Sequence, residues 1–315
     1  MIRANQLFTR HPDNPILKPE QWPYTVNAVF NPGATIGPDG ETVLLVRVED
    51  RSGISHLSAA RSLDGVSDWI IDSKPSLEPQ AERHEETSGI EDPRITKIGS
   101  EYFIAHTAVS KSGPLVALSA TDDFLSFRRV AVVSPPENKD AALFPELFDG
   151  RYAIIHRPVF TGERAEAHMW ISFSPDLRHW GDHQVLMKSR DLWRWDGLKI
   201  GLGPPPLKTA SGWLVLFHGV KATAAGALYR VGIALLDLSD PTRVLARTDE
   251  WVFGPEAHYE RTGDVPGVVF PCGWVEHDDE VSLYYGAADT YVGLATARVD
   301  ALIDFAFSHS TPLQV

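Results

Sequence analysis

Apolar residues in this chain gather in short runs, and nearly every run stops against glycine, proline, Asn or Asp. Thr42–Glu49, Tyr102–Ala108, Tyr152–Pro158, Trp213–Val220 and Val281–Ala287 show this most clearly. They are rich in the β-branched and aromatic side chains that pack on a pleated, half-buried surface. No segment sustains the 3.6-residue period of an amphipathic helix, while turn residues recur throughout. The pattern predicts an all-β chain.

The runs also repeat. Five times an apolar stretch ends at a proline, a polar turn follows, an apolar strand closes on a polar residue, and a second strand of small and apolar residues comes next. The first copy holds Asn31-Pro32-Gly33, a turn at Gly37–Gly40, then Thr42–Glu49 and His56–Ala60. The others are anchored at Asp92-Pro93, Phe144-Pro145, Gly203-Pro204 and Phe270-Pro271. Successive anchor prolines lie 61, 52, 59 and 67 residues apart, room for about four strands of roughly 5–6 residues with their turns. Repeats of that size built from strands predict a five-bladed β-propeller, with residues 1–315 as one domain. A β-sandwich is the alternative, but sandwiches do not share a proline–turn–strand grammar among hairpins. Met1–Trp22 and the tail Asp300–Val315 are expected to pair and close the ring. Two connectors, Ser62-x-Asp64…Trp69 and Ser174-x-Asp176…Trp180, place an Asp to bond turn amides and a Trp to pack between blades.

Composition narrows the partners. With 43% hydrophobic and 23% charged residues the chain has ample core. The 42 acidic residues against 29 basic ones leave a net charge of −13, which argues against nucleic acid or an anionic membrane as the main partner. Met1–Asn14 is polar, no apolar run is long enough to span a bilayer, and the single cysteine, Cys272, rules out an intrachain disulfide. A cytoplasmic location is expected. The 12 histidines show no metal-ligand spacing, so no metal and no cofactor are assigned.

Candidate chemistry begins at Ser88–Ile95, where Glu91, Asp92 and Arg94 surround Pro93. The proline pushes Asp92 toward extended geometry; a mount for an acid and a simple strand cap are both compatible with that. Aligning the copies puts Arg47, His106, His156-Arg157 and His218 near the end of the second strand, with Asp289 just beyond the matching place in copy five. Burying such groups without partners would cost several kcal/mol. They are therefore expected to face one polar funnel, with Asn31 and Asp92 opening toward the same mouth. Lys139 and Lys199 precede the third and fourth anchors and, with Arg157, form a cation set suited to an oxyanion. Tyr229 adds a neutral donor, and the Ala222–Ala227 loop before it is read as a lid.

These residues resemble a known family. NPGA (31–34), GIEDPRI (89–95), LFPE (143–146), HRP (156–158), WDGLKIGLGPPP (195–206), HGV (218–220), VVFPCG (268–273) and YYGAAD (284–289) occur in the order found in the β-mannoside phosphorylases of glycoside hydrolase family 130. The resemblance covers residues 27 to 298 and implies a five-bladed propeller. It implies Asp92 as general acid, with Arg47 and Asp289 holding the sugar beside the scissile bond. Lys139, Arg157 and Lys199 would bind phosphate; many relatives carry Arg where Lys139 stands. It also implies that the acid's proton travels through a sugar hydroxyl. Asn31, His106 and His218 are assigned with the sugar-binding set, and Tyr229 with the phosphate set.

The chemistry agrees with the residues. Inverting hydrolysis needs a second carboxylate to activate water, whereas phosphorolysis needs one acid and a cation cluster to place an anionic nucleophile. Positions 139, 157 and 199 carry cations and no carboxylate. The expected partners are an oligosaccharide or disaccharide and inorganic phosphate, and a homo-oligomer is compatible with the sequence. Glu146 and Asp196 are the alternative bases if the cations do not converge. A β-mannoside hydrolase on the same fold and a non-catalytic sugar-binding propeller are the rival readings. Arg94 is the awkward residue, since regular alternation would place it on Asp92's face and lower the acid's pKa.

Overall fold

The β-branched and aromatic runs do form strands. The computed structural model describes residue 4 and residues 7–159, 167–224 and 226–311. The strands assemble into five antiparallel sheets that make the blades of a β-propeller. Strand β1 (Thr9–Arg10) precedes the first blade in the chain. Blade 1 is β2 (Ala28–Ile36), β3 (Thr42–Glu49), β4 (Ser55–Ser62) and β5 (Ile70–Ile71). Blade 2 is β6 (Ile90–Ile98), β7 (Glu101–Ser110), β8 (Gly113–Thr121) and β9 (Arg128–Val132). Blade 3 is β10 (Asn138–Leu143), β11 (Tyr152–Pro158), β12 (Met169–Ser174) and β13 (Gly181–Met187). In blade 4 the inner strand is split by the Gly203–Pro206 segment into β14 (Lys199–Leu202) and β15 (Leu207–Thr209); β16 (Gly212–Thr223), β17 (Gly226–Leu236) and β18 (Val244–Arg247) follow. Blade 5 is β19 (Val269–His277), β20 (Glu280–Ala287) and β21 (Tyr291–Arg298).

The first strands of blades 5, 1, 2, 3 and 4 touch in that order around the axis, and β17 of blade 4 meets β19 of blade 5. The core lies between blades rather than within one. Five large apolar clusters each draw side chains from two neighbours: Val46 with Tyr284, Leu45 with Ile104, Phe103 with Ile154, Ile155 with Phe217, and Leu216 with Leu283. The connector reading holds in detail. Asp64 Oδ1 accepts from the Val66 and Ser67 amides at 2.8 Å, and Asp176 does the same for Arg178 and His179 at 2.9 Å. Trp69 meets Tyr284 of blade 5 edge-on.

Ring closure differs from expectation. Among the described residues the N-terminal segment does not pair with the tail; β1 pairs with β21, Thr9 opposite Thr296, and becomes the outer strand of blade 5. The tail instead forms a helix, Val299–Ser308, whose Val299, Leu302, Phe305 and Ala306 are buried. That three-to-four-residue spacing is a helical period too short-lived to stand out among so many strands. Residues 1–3, 5–6 and 312–315, also part of that expectation, lie outside the described residues. Among the described residues no helix is long and apolar enough to cross a membrane.

The inner strands carry the feature that builds the mouth. In blades 1, 2 and 3 the register between the first two strands slips by one residue, between Phe30 and Gly33, Glu91 and Arg94, and Lys139 and Ala142. Each slip is a β-bulge, which re-aims a side chain. Its first residue has left-handed backbone, φ 47° at Asn31, 51° at Asp92 and 55° at Asp140. Asn and Asp tolerate that conformation better than other side-chain-bearing residues. Pro32 and Pro93 stand beside these bulges, where a missing N–H costs no ladder bond. Pro145 and Pro204 do not: they follow β10 and β14, so the third and fourth copies are anchored a few residues too late in the sequence reading. The true counterpart of Asp92-Pro93 in blade 3 is Asp140-Ala141.

Candidate active site

The bulged starts of the inner strands and the ends of the second strands meet at one mouth. There they enclose a cavity of about 140 Å³ lined by Asn31, Arg47, Asp92, Lys139, Asp140, Arg157, Lys199, His218, Tyr229 and Asp289, with Val265, Val268 and Phe270 as its apolar part. Every site residue expected from the sequence is present except His106.

One side is acidic. Asp92 is buried, and its Oδ1 accepts from Asn31 Nδ2 at 2.8 Å and from Arg47 Nη1 at 3.1 Å. Arg47 also bonds Glu91 Oε1 at 3.0 Å through Nη2 and lies over the Phe30 ring, so its fork ties two adjacent carboxylates to one cation. Burial pushes the Asp92 carboxyl up, but Arg47, then Lys139, the Asn31 hydrogen bond and Arg94 outweigh it and hold the group below the usual carboxylate range. Asp289 goes the other way: burial and the nearby Asp92 charge push it up to about 6, against the pull of Arg47.

The bulge decides where Arg94 goes, although its charge still adds to the lowering of the Asp92 pKa. The extra residue breaks strict alternation, and Arg94 turns into the axis, where it is fully buried. It donates to the Gly203 carbonyl at 2.8 Å, the Leu202 carbonyl at 2.9 Å and the backbone carbonyl of Asp92 at 3.0 Å. Arg94 thus bolts blade 2 to blade 4 and fixes the backbone of Asp92 rather than pairing with its carboxylate or with Glu91 or Glu146.

The opposite side is cationic. Lys139 and Arg157 face each other across β10 and β11, and Lys199 Nζ lies 5.4 Å from the Tyr229 ring centre. Among the described residues neither lysine has a carboxylate within ion-pair distance, although the protein is strongly acidic overall. Burial lowers the Lys199 pKa, and Arg157 and Lys139 lower it further; Asp140 only partly offsets them. Mutual repulsion of this kind is relieved by an anion. Arg157 is held by one bond, Nε to Asp140 Oδ2 at 2.7 Å, and no other partner among the described residues engages its fork.

Asp140 escaped the sequence reading. It is fully buried, with His218 Nε2 3.3 Å from Oδ2 and Arg94 Nη2 3.7 Å from Oδ1. Burial would raise its pKa, but Arg157, His218 and Arg94 hold it well below the usual range, so it is a fixed anion that orients Arg157 and His218. Spacing carried the signal: Asn31 precedes Arg47 by 16 residues and Asp140 precedes Arg157 by 17, whereas Pro145 stands too close.

Several expectations are corrected. His106 is not in the cavity. It pairs with Ser119 at 3.0 Å, and burial pushes it down to about 3, so it is a neutral core ring. His156 likewise bonds Ser172 and Asn138 and is pushed down to about 4. Both sit opposite a bulge, one residue before the register position that Thr107 and Arg157 share, of which only Arg157 lines the cavity; a one-residue offset puts a strand side chain on the other face. Glu146 is exposed and paired with Lys208, while Asp196 is buried between Arg190 and Arg247; neither lines the cavity. The Ala222–Ala227 loop, expected to act as a lid, is the tip of the β16–β17 hairpin, Ala222 opposite Ala227, with residue 225 outside the described residues.

Comparison with known proteins places this geometry. Residues 8–307 match the family model described as β-1,4-mannooligosaccharide phosphorylase, glycoside hydrolase family 130. The chain belongs to glycoside hydrolase family 130. It is an enzyme, as the curated members are. It is 36% identical over 308 residues to the 1,2-β-oligomannan phosphorylase of Thermoanaerobacter sp. (strain X514), covering 94% of this chain and 97% of that one. It is 33% identical to the β-1,4-mannooligosaccharide phosphorylase of Ruminococcus albus, over 98% of this chain and 93% of that one. Among solved structures, the β-1,2-mannobiose phosphorylase from Listeria innocua in complex with β-1,2-mannobiose superposes with a TM-score of 0.87 at 32% identity, covering 96% and 99% of the two chains.

Proposed function

We propose that this family 130 enzyme is an inverting β-mannoside phosphorylase. It cleaves a β-linked manno-oligosaccharide or mannosyl-disaccharide with inorganic phosphate and releases α-mannose 1-phosphate and a shortened acceptor. The observation that carries the reading is the two-sided cavity: Lys139 and Lys199, without carboxylate partners among the described residues, and the Arg157 fork, unengaged among those residues, face Asp92 across about 140 Å³. The names of the relatives support mannosides as the substrate class.

In this reading phosphate sits against Lys139, Arg157, Lys199 and Tyr229, and His218, expected in the sugar-binding set, lies at its edge because Asp140 ties it to the Arg157 side. Asn31, Arg47 and Asp289 hold the mannosyl unit. A phosphate oxygen forms the new bond to the anomeric carbon while the bond to the glycosidic oxygen breaks. That oxygen takes the proton of Asp92, which is replaced from phosphate or solvent. No second carboxylate is required because the nucleophile is already an anion, and its charge is met by cations that are placed before it arrives. Phosphate docking also cancels part of the Lys139 field that keeps Asp92 ionised, so the nucleophile raises the acid's hold on its proton. The step needs no metal or organic cofactor. The single, fully buried thiol of Cys272 suits a cytoplasmic location.

The deciding experiment incubates the enzyme with manno-oligosaccharides with and without phosphate and separates sugar phosphate from free mannose. Sugar phosphate that forms only with phosphate is expected; free mannose at an unchanged rate without phosphate overturns the reading in favour of hydrolysis. A second expectation concerns Asp289. As its pKa is raised to about 6, the carboxylate that accepts sugar hydroxyls is fully present above that pH and lost below it. The mannoside KM should therefore fall as pH rises through about 6 and then level off. In Asp289→Asn that step should vanish, and a step of the same size in the variant would assign it to another group.

A further inference from the structure

The cavity is small for its task. At about 140 Å³ it lies below the range of roughly 300–1,000 Å³ usual for ligand pockets, too little for phosphate and a whole disaccharide. Sugar units beyond the scissile bond must lie elsewhere on the surface. One hollow of about 310 Å³ is lined by Ile36, Lys97 and Glu276 near the far ends of β2, β6 and β19, and so opens at the opposite mouth, with the buried Arg94 lying across the axis between. It is out of reach of the reacting bond.

A second hollow, of about 560 Å³, is on the same face as the cavity. Trp22, Tyr24 and Thr25, on the segment that leads into β2, form one side, and Thr290 and Tyr291, in the turn before β21, form the other. Asp289 lines the cavity and its neighbours Thr290 and Tyr291 line the hollow, so one turn walls both. The rim is tied across blades 1 and 5: Asn27 Nδ2 donates to Asp264 Oδ2 at 2.8 Å, and the Asp264 amide donates to Thr290 Oγ1 at 2.9 Å. The aromatic floor is fixed beforehand. Trp22 Nε1 donates to Tyr24 Oη at 3.2 Å, and Tyr24 Oη lies 3.0 Å from His56 Nε2. Rings with an apolar face and a polar tip suit the mixed surface of a pyranose.

Direction selects this hollow as well. The phosphate-side cations stand on blades 3 and 4, and inversion places nucleophile and leaving group on opposite faces of the sugar. In a ring of five blades the side across from blades 3 and 4 is blade 1, where the hollow begins.

We infer that the hollow between Tyr24 and Tyr291 binds the acceptor-side sugar units of a manno-oligosaccharide and so sets a preference for chains longer than a disaccharide; this rests on the proposed phosphorolysis. The test is calorimetric binding of manno-oligosaccharides of two, three and four units, without phosphate, beside kcat/KM with phosphate. Wild-type affinity should rise about tenfold, ~1.4 kcal/mol, on going from two units to three or four. Thr25 is exposed and outside the cavity, so Thr25→Trp should fill the hollow and erase that step while affinity for free mannose, which needs only the cavity, stays within about twofold. Tyr24→Ala, which removes the floor, should erase it too. Equal wild-type affinity for all lengths, or a step that survives both substitutions, overturns the inference. A length step without phosphate-dependent turnover would sink the phosphorylase reading and leave the hollow's assignment standing.

Discussion

Asp92→Asn is expected to lower kcat for phosphorolysis of an unactivated mannoside by about 10²–10⁴-fold, the usual contribution of a general acid. The substitution keeps the side chain's shape, and the new amide oxygen still accepts from Asn31 and Arg47, both of which bond Asp92 Oδ1. Arg47 also keeps Glu91, so no cation is stranded. The mannoside KM should therefore change little while the proton needed by the departing oxygen is lost. An aryl mannoside, whose leaving group departs without that proton, should recover most of the rate. A kcat within about tenfold of wild type on the natural linkage would remove Asp92 from the acid's role. So would failure of the good leaving group to restore activity in a folded variant.

Arg157→Ala should act on the other substrate. Losing a charge-assisted contact costs about 1.5–3 kcal/mol, or about a 10- to 150-fold rise in the phosphate KM. The effect should lie toward the upper end because Asp140 loses its 2.7 Å partner and turns a carboxylate that only His218 and Arg94 still compensate toward the anion. Asp140→Asn separates the two contributions. Its amide oxygen can still accept from Arg157 Nε and keep the fork aimed, so its phosphate KM should rise less. The mannoside KM should stay within about twofold in both variants. Equal increases in both KM values for Arg157→Ala would mean that the cations on blades 3 and 4 are not the phosphate site.

Much of the fold was legible because strand-forming runs and their turn residues are local properties. The repeated proline–turn–strand grammar counted the blades, and the Asp…Trp connectors marked where the chain turns between outer strands. The legible part of the site was the part carried by charge type: cations at 139, 157 and 199, and an acid in front of a proline at 92. The errors share one cause. A β-bulge inserts a residue into one strand only, so counting along the chain loses phase at each bulge, and strand side chains change face with every residue. That is why counting along the chain puts His106 in the funnel and favours Pro145 over Asp140.

What the sequence determined by itself, then, is the number of blades and the kinds of charge available, since both follow from short-range pattern and composition. Which side chains share the cavity was decided only by the tertiary structure. Left-handed backbone at Asn31, Asp92 and Asp140, and the anchoring of Arg94 on carbonyls from blade 4, bring together groups far apart in the chain. The physical reason is that each bulge is stable only within its closed ring: the neighbouring blade supplies the partners that fix the re-aimed side chains, as Asn31 does for Asp92 and His218 for Asp140.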